Sequence, residues 1–267
     1  MNGTYVTLAR REFWEHRSLW IAPLVAAGFF LAVSVTAAML GGSFVNIRGT
    51  SRLGEIDANP FMLGIFGLAS QVFLVSSITC FVYLLDCLYS ERKDRSILFW
   101  KSLPVSDAAT VLVKFAVAML VVPLAAYVLT SVTYVLIGTA LALGMPEFSQ
   151  LFAGAGPADW LDAQGKLLGM VVATLLWYAP VAAWFMVASV ISRRAPILMA
   201  SMPWAALGLA ETILFHTKHV WLFMGYRLQP QPDLMRTLAE PNLWLGLVAA
   251  AGMLYMVIRL RRYRDDT

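Results

Sequence analysis

Residues 167–191 read LLGMVVATLLWYAPVAAWFMVASVI and contain no Asp, Glu, Lys or Arg. A helix needs about 20 apolar residues to cross roughly 30 Å of hydrocarbon, so this run predicts a transmembrane helix. The linker SRRAP at 192–196 precedes another apolar run at 197–215, which predicts a tight helical hairpin. Four more apolar runs occupy residues 19–40, 64–85, 111–138 and 243–258. The sequence therefore predicts an all-α, polytopic membrane protein with six transmembrane helices.

Composition supports the same class. Hydrophobic residues make up 60% of the 267 residues and charged residues 13%, whereas a soluble domain carries about 25% charged residues. Between the spans there is no stretch long or apolar enough for a folded soluble domain. We therefore expect residues 1–267 to form a single transmembrane domain.

The placement of lysine and arginine predicts the orientation, because cytoplasmic segments of multi-pass proteins are enriched in both. With the N-terminal segment inside, the inside segments hold 14 of the 20 Lys and Arg residues. We therefore expect both termini in the cytoplasm and the chain in the inner (cytoplasmic) membrane, surrounded by lipid. The net charge of +4 then reflects topology. The sequence contains no basic surface interleaved with aromatics, so it does not predict a nucleic-acid partner.

The segment before the first span is short and amphipathic. Tyr5, Leu8, Ala9 and Phe13 follow helical spacing, and charged residues lie between them. This pattern over residues 1–18 favours an interfacial helix. The alternative is an ordinary charged flank.

The segment at 87–109 is unusual for a cytoplasmic loop. Residues 88–107 read LYSERKDRSILFWKSLPVSD, in which alternating charges precede a group of apolar side chains. Large apolar residues in such a loop are expected to be buried. This segment therefore predicts a short helix with one face covered, either by the chain's own helices or by a separate protein. Aromatic anchors flanked by charges are typical of a docking surface.

Motifs for catalysis or cofactor binding are lacking. Gly165 and Lys166 are followed by Leu167, so no phosphate-binding loop can form. No His-Glu-x-x-His, nucleophile elbow or paired-cysteine zinc pattern occurs, and Cys80 and Cys87 are expected in the core. We therefore expect no catalytic residue, no metal and no cofactor on this chain. An intramembrane enzyme is poorly supported.

A few polar and aromatic side chains inside the spans are candidates for a substrate cavity. They are Trp177, Tyr178, Trp184 and Glu211. Charges inside a membrane usually face protein or water, so Glu211 either faces a cavity or an inter-helix contact, or it reaches the outer interface. Tryptophan and tyrosine near span ends also form ordinary interfacial belts, and that alternative stays open for the aromatics.

The segment from Glu91 to Asp107 resembles the cytoplasmic loop of type-2 ATP-binding-cassette (ABC) exporter permeases, and the six-span layout with both ends inside is similar to that family. The resemblance implies a coupling helix between the second and third spans that docks on a separate ATPase subunit. It implies two ATPase copies, which bind ATP and Mg²⁺, and a second permease chain, identical or paralogous. The coupling residues carried over by position are Glu91, Arg92, Lys93, Asp94, Arg95, Ser96, Phe99, Trp100, Lys101, Leu103 and Pro104.

The function that the resemblance implies is that of a permease subunit in an ATP-driven exporter. ATP hydrolysis on the separate subunit would be coupled to substrate export by alternating access. The alternative is a non-transporting membrane scaffold or sensor subunit, whose loop would dock a different cytoplasmic protein.

Overall fold

A computed structural model of the chain describes residues 2–40, 60–94, 105–144, 156–229 and 231–263, and the regular secondary structure in these ranges is entirely helical. The helices are α1 (Asn2–Glu15), α2 (Ser18–Met39), α3 (Pro60–Asp86), α4 (Tyr89–Lys93), α5 (Asp107–Ala116), α6 (Val122–Gly144), α7 (Pro157–Ile191), α8 (Pro196–Phe215), α9 (His219–Arg227), α10 (Leu234–Ala239) and α11 (Pro241–Tyr263).

Six helical segments are long and apolar enough to cross a membrane, which confirms the predicted number of spans. They are Ser18–Met39, Gln71–Lys93, Asp107–Gly144, Pro157–Ile191, Pro196–Phe215 and Pro241–Tyr263. The helical hairpin is confirmed as well, because α7 ends at Ile191 and α8 begins at Pro196. Ala188 of α7 packs with Ala200 of α8 in one buried cluster.

Several helices extend beyond the apolar runs that predicted them. Helix α7 has 35 residues, which is about 52 Å at 1.5 Å per residue and exceeds the roughly 30 Å hydrocarbon thickness. Its extra N-terminal turns start at a capping arrangement, in which the Gly156 backbone N–H donates to Asp159 Oδ2 at 2.8 Å. Hydropathy detects only the apolar part of such a helix.

A π-helical turn, Val117–Val121, joins α5 to α6. In the π register the carbonyl of Ala118 would accept from the backbone nitrogen of residue 123, but Pro123 has no N–H. The Cys80 thiol instead donates to that carbonyl, with Sγ and O 3.4 Å apart. Both cysteines are free and buried, as expected of core residues.

The chain divides into two compact units, so the single domain over 1–267 stays a prediction. The first unit comprises residues 1–17, 78–122 and 172–267, and the second comprises 18–77 and 123–171. The second unit has its own apolar core, in which Tyr134 stacks on Trp160 with ring centroids 5.6 Å apart. The first unit contains the polar features described next.

Helix α1 covers Asn2–Glu15, and that it is an interfacial helix stays a prediction. Leu8, Ala9 and Phe13 are half-buried, whereas Tyr5 is exposed. The acidic side chain of Glu12 is only 1% exposed. Burial of this carboxylate requires a partner, and that partner lies on another helix.

Candidate functional site

A buried group of charged side chains joins four helices of the first unit. At its centre is Lys114 of α5, which is fully buried. Its Nζ atom lies 2.9 Å from Oε1 and 2.8 Å from Oε2 of Glu12, on α1. The same nitrogen lies 3.1 Å from Oε1 of Glu91, on α4. One cation therefore holds two carboxylates from different helices.

Two arginines extend this group. Arg261, near the end of α11, donates through Nη1 to Glu91 Oε2 at 2.9 Å and through Nε to Asp107 Oδ1 at 3.0 Å. Arg11 of α1 places Nη2 2.7 Å from Glu12 Oε1 and 3.2 Å from Glu91 Oε1. We call Arg11, Glu12, Glu91, Asp107, Lys114 and Arg261 the ion network.

The ion network surrounds the ends of the predicted coupling segment. Glu91 lies just before the undescribed stretch 95–104, and Asp107 and Lys114 follow it. The first helix after the stretch is capped by Ser106, whose Oγ accepts from the Ala109 backbone N–H at 3.1 Å. Both ends of the segment are therefore fastened to α1 and α11 by buried ion pairs.

The surroundings of Glu12 favour its charged form. Burial alone would raise the pKa of Glu12, but Lys114 and Arg11 lower it, and the resulting pKa is below the ordinary value. The Tyr83 hydroxyl also donates to Glu12 Oε2 at 2.9 Å. Removing one partner of such a buried pair leaves an uncompensated charge and costs about 3–5 kcal/mol.

Glu12, Glu15 and His16 form a group with ligand atoms within 4.8 Å of one another. Such a spacing could hold a metal ion, but both Glu12 oxygens already accept hydrogen bonds from Lys114. Burial raises the pKa of Glu15 and lowers the pKa of His16. The group is better described as the edge of the ion network than as a metal site.

The start of the coupling segment is also fastened to the end of α7. Ser189 Oγ accepts from the backbone N–H groups of Leu88 and Tyr89 at 3.2 and 3.1 Å. Arg92 Nη2 donates to the carbonyls of Ser189 and Ser192 at 2.6 and 2.8 Å. These hydrogen bonds link α4 directly to the end of α7 and to the α7–α8 linker.

The predicted coupling residues fall into three groups. Glu91 is buried and Arg92 is half-buried, and both bind the chain's own groups. Lys93 and Asp94 are exposed. The remaining seven lie outside the described residues: Arg95, Ser96, Phe99, Trp100, Lys101, Leu103 and Pro104.

Of the four predicted cavity residues, Trp184 lines a large apolar groove in the first unit, and Trp177, Tyr178 and Glu211 are not among its lining residues. This groove has a volume of about 720 Å³ and is lined mainly by α7, α8, α9 and α11, with Trp184, Phe185, Trp204 and Phe223 among its walls. Trp184 Nε1 donates to the Ala200 carbonyl at 3.0 Å. We refer to this space as the aromatic groove.

Trp177 and Tyr178 hold the segment that follows α9. Trp177 Nε1 donates to the carbonyl of Arg227 at 3.1 Å, and the Tyr178 hydroxyl donates to the carbonyl of Leu228 at 2.7 Å. The guanidinium of Arg227 lies over the Trp177 ring, 4.3 Å from its centroid. Both aromatics therefore position Arg227, which is itself part of the groove wall.

Glu211 is not among the residues that line the aromatic groove. Its Oε1 accepts from Thr217 Oγ1 at 2.7 Å and from the His219 backbone N–H at 2.8 Å, and its Oε2 accepts from the Val220 N–H at 2.7 Å. The carboxylate thus satisfies the free N–H groups at the start of α9.

The sequence interpretation overlooked most of the ion network. In the sequence pattern Glu12 is a charged residue between the apolar positions of the N-terminal helix, and Lys114 and Arg261 contribute only to the orientation count. Asp107 is only the last residue of the segment that resembles the coupling loop. A lysine three residues inside the predicted span 111–138 was the available signal, because ionisable groups within spans usually have a partner. Arg227, counted only as an outside charge, was overlooked as well.

Comparison of the chain with protein-family models, curated proteins and solved structures finds no match.

Proposed function

We propose that this chain is the permease subunit of an ATP-driven ABC exporter of the type-2 kind. In this proposal the chain is not itself catalytic. A separate ATPase subunit, present in two copies, binds ATP and Mg²⁺, and a second permease chain completes the pathway. The chain lies in the inner membrane with both termini in the cytoplasm, and the segment 87–109 faces the ATPase.

The observation that carries the proposal is the way the ends of this segment are held. A loop that only connected two spans would not need buried ion pairs to α1 and α11, because each buried charge carries a desolvation penalty. A loop that transmits force between a motor subunit and the spans does need rigid attachment at both ends. Glu91, Lys114 and Arg261 supply that attachment.

The proposal assigns different roles to the coupling residues. Glu91 and Arg92 fasten the segment to the membrane helices. The exposed side chains of Lys93 and Asp94 contact the ATPase, together with the apolar anchors Phe99, Trp100 and Leu103 that the family resemblance implies. Movement of the segment then reaches the α7–α8 hairpin through Arg92 of α4, which donates to the Ser189 carbonyl, and through Ser189 Oγ, which accepts from the Leu88 and Tyr89 N–H groups.

Co-purification tests the proposal. The tagged full-length chain, extracted in mild detergent from cells that express it naturally, is expected to retain an ATPase subunit with a phosphate-binding loop and nucleotide-dependent hydrolysis. The double variant Phe99→Ala/Trp100→Ala should lose that subunit and the hydrolysis. The matched variant Phe215→Ala/Trp244→Ala also removes one exposed Phe and one exposed Trp. These two residues lie on the outer side of the membrane in the proposed topology, so this variant should retain the ATPase subunit and the hydrolysis.

Two results would contradict the proposal. One is that the wild-type chain retains no ATPase. The other is that both double variants retain it equally. Retention of a protein without ATPase activity would favour the scaffold or sensor alternative.

A further inference from the structure

Arg227 is a buried cation in an apolar environment. Its residue surface is 8% exposed, and burial lowers the pKa of its guanidinium, although arginine stays charged in proteins. Nη1 donates to the Asn242 carbonyl at 3.3 Å, a long contact. Nη2 is buried and has no hydrogen-bond partner in the described part of the chain.

The fold keeps space for this guanidinium. A methyl group added at Gly246 of α11 would overlap Arg227 Nη2, so the absence of a side chain there lets Arg227 lie against the helix. The guanidinium also lies over the face of the Trp177 ring, 4.3 Å from its centroid. A cation–π contact of this kind compensates only part of the cost of burying an unpaired charge.

The aromatic groove leads away from Arg227 along two helices. On α11 its wall runs from Asn242 through Gly246 and Ala249 to Met253. Eleven residues of helix rise about 16 Å, close to the depth of one leaflet, which is half of the roughly 30 Å hydrocarbon core. The guanidinium occupies the Asn242–Gly246 end of this wall, and the seven residues from Gly246 to Met253 add about 10 Å, so the groove has a cation at one end and an apolar channel for an alkyl chain beyond it.

We propose that the aromatic groove binds an anionic, single-chain amphiphile, with its phosphate-like headgroup on Arg227 and its alkyl chain along α8 and α11. The headgroup supplies the acceptor that Nη2 lacks, in a charge-assisted hydrogen bond. The chain covers the apolar walls. That this amphiphile is the exported cargo rests on the proposed exporter function, whereas the binding itself rests on the groove alone.

Binding of radiolabelled dodecyl phosphate to the full-length protein in phosphatidylcholine nanodiscs tests the proposal. The wild-type protein is expected to bind saturably. Arg227→Gln should weaken binding about 10- to 100-fold, the range expected for a charge-assisted hydrogen bond. Arg236→Gln, which removes an exposed arginine of α10, should leave affinity unchanged, because Arg236 is not among the residues that line the groove.

Two further variants separate the headgroup from the chain. Gly246→Ala displaces the guanidinium and should weaken binding as Arg227→Gln does. Ala249→Phe fills the groove while keeping Arg227, and should also weaken binding. Thermal unfolding of every variant shows whether it is folded. Because Gly246→Ala and Ala249→Phe keep the arginine, they test the proposal even where Arg227→Gln does not fold.

Competition defines the results that overturn the proposal. If inorganic phosphate displaces dodecyl phosphate at equal concentration, the site binds anions without a chain. If dodecyl maltoside displaces it equally well, the groove binds chains without an anion. Equal effects of Arg227→Gln and Arg236→Gln would also reject it. None of these measurements needs an ATPase, so loss of binding and failure of the proposed exporter function are separate outcomes.

Discussion

Lys114 Nζ lies within 2.9 Å of both carboxylate oxygens of Glu12, although 102 residues separate the two side chains in sequence. We expect Lys114→Met to lower the free energy of unfolding by about 3–5 kcal/mol, because the buried Glu12 and Glu91 would lose the one cation that contacts both and leave the ion network with an excess carboxylate. Reversible unfolding in mixed detergent micelles measures this change.

A surface pair provides the control for this prediction. Lys166 lies 2.9 Å from Asp162, but both side chains are more than half exposed. Lys166→Met should therefore cost at most about 1 kcal/mol. The double variant Lys114→Met/Glu12→Gln leaves two cations and two carboxylates in the ion network and should recover part of the loss. Equal effects of the two lysine variants would contradict a structural role for the ion network.

The pH dependence of stability is expected to reflect His16. Burial lowers its pKa below the ordinary 6.5, so between these two values the unfolded chain binds a proton that the folded chain does not. The contribution of neutral, buried His16 to the stability of the folded chain is complete above the ordinary pKa of histidine. It is lost as pH falls through the lower pKa of His16 in the folded chain. We expect His16→Gln to reduce the fall in Tm between about pH 7.5 and about pH 5.5.

The exposed His216 supplies the matched variant. His216→Gln should keep the pH dependence of the wild-type Tm. If both glutamine variants behave alike, burial of His16 does not contribute to the acid sensitivity.

The sequence predicted the spans but not the ion network, for a physical reason. An apolar run of about 20 residues is a local signal, and it decides transmembrane helices without knowledge of their neighbours. The partners of Lys114 and Arg261 lie on helices far away in sequence, and only tertiary packing brings them together. The position of the Glu211 carboxylate likewise depends on where α9 begins, because it accepts from the N–H groups at the start of that helix. The apolar content of the sequence does not indicate this start.

Ser189 is expected to control the flexibility of α4. Its Oγ accepts from the N–H groups of Leu88 and Tyr89, and Ser189→Ala would leave both donors buried without that acceptor. An unsatisfied donor costs about 1–3 kcal/mol. We expect faster amide hydrogen exchange across Tyr89–Lys93 in this variant, measured by mass spectrometry.

The control for this prediction is Ser201→Ala. The exposed Ser201 hydroxyl donates only within its own helix, to the Ile197 carbonyl at 2.9 Å. Exchange across Tyr89–Lys93 should be unchanged in that variant. Unchanged exchange in Ser189→Ala as well would show that α4 is held by other contacts.

The proposed orientation can be tested by cysteine labelling, because the native thiols give little background. Cys80 is 6% exposed and Cys87 is fully buried, so a membrane-impermeant maleimide should not label the wild-type chain. Arg194→Cys and Lys218→Cys introduce thiols at two exposed positions on opposite sides of the membrane in the proposed topology. In intact cells Lys218→Cys should be labelled, and Arg194→Cys only after permeabilisation. The reverse pattern would place the segment 87–109 outside, where no ATPase could reach it.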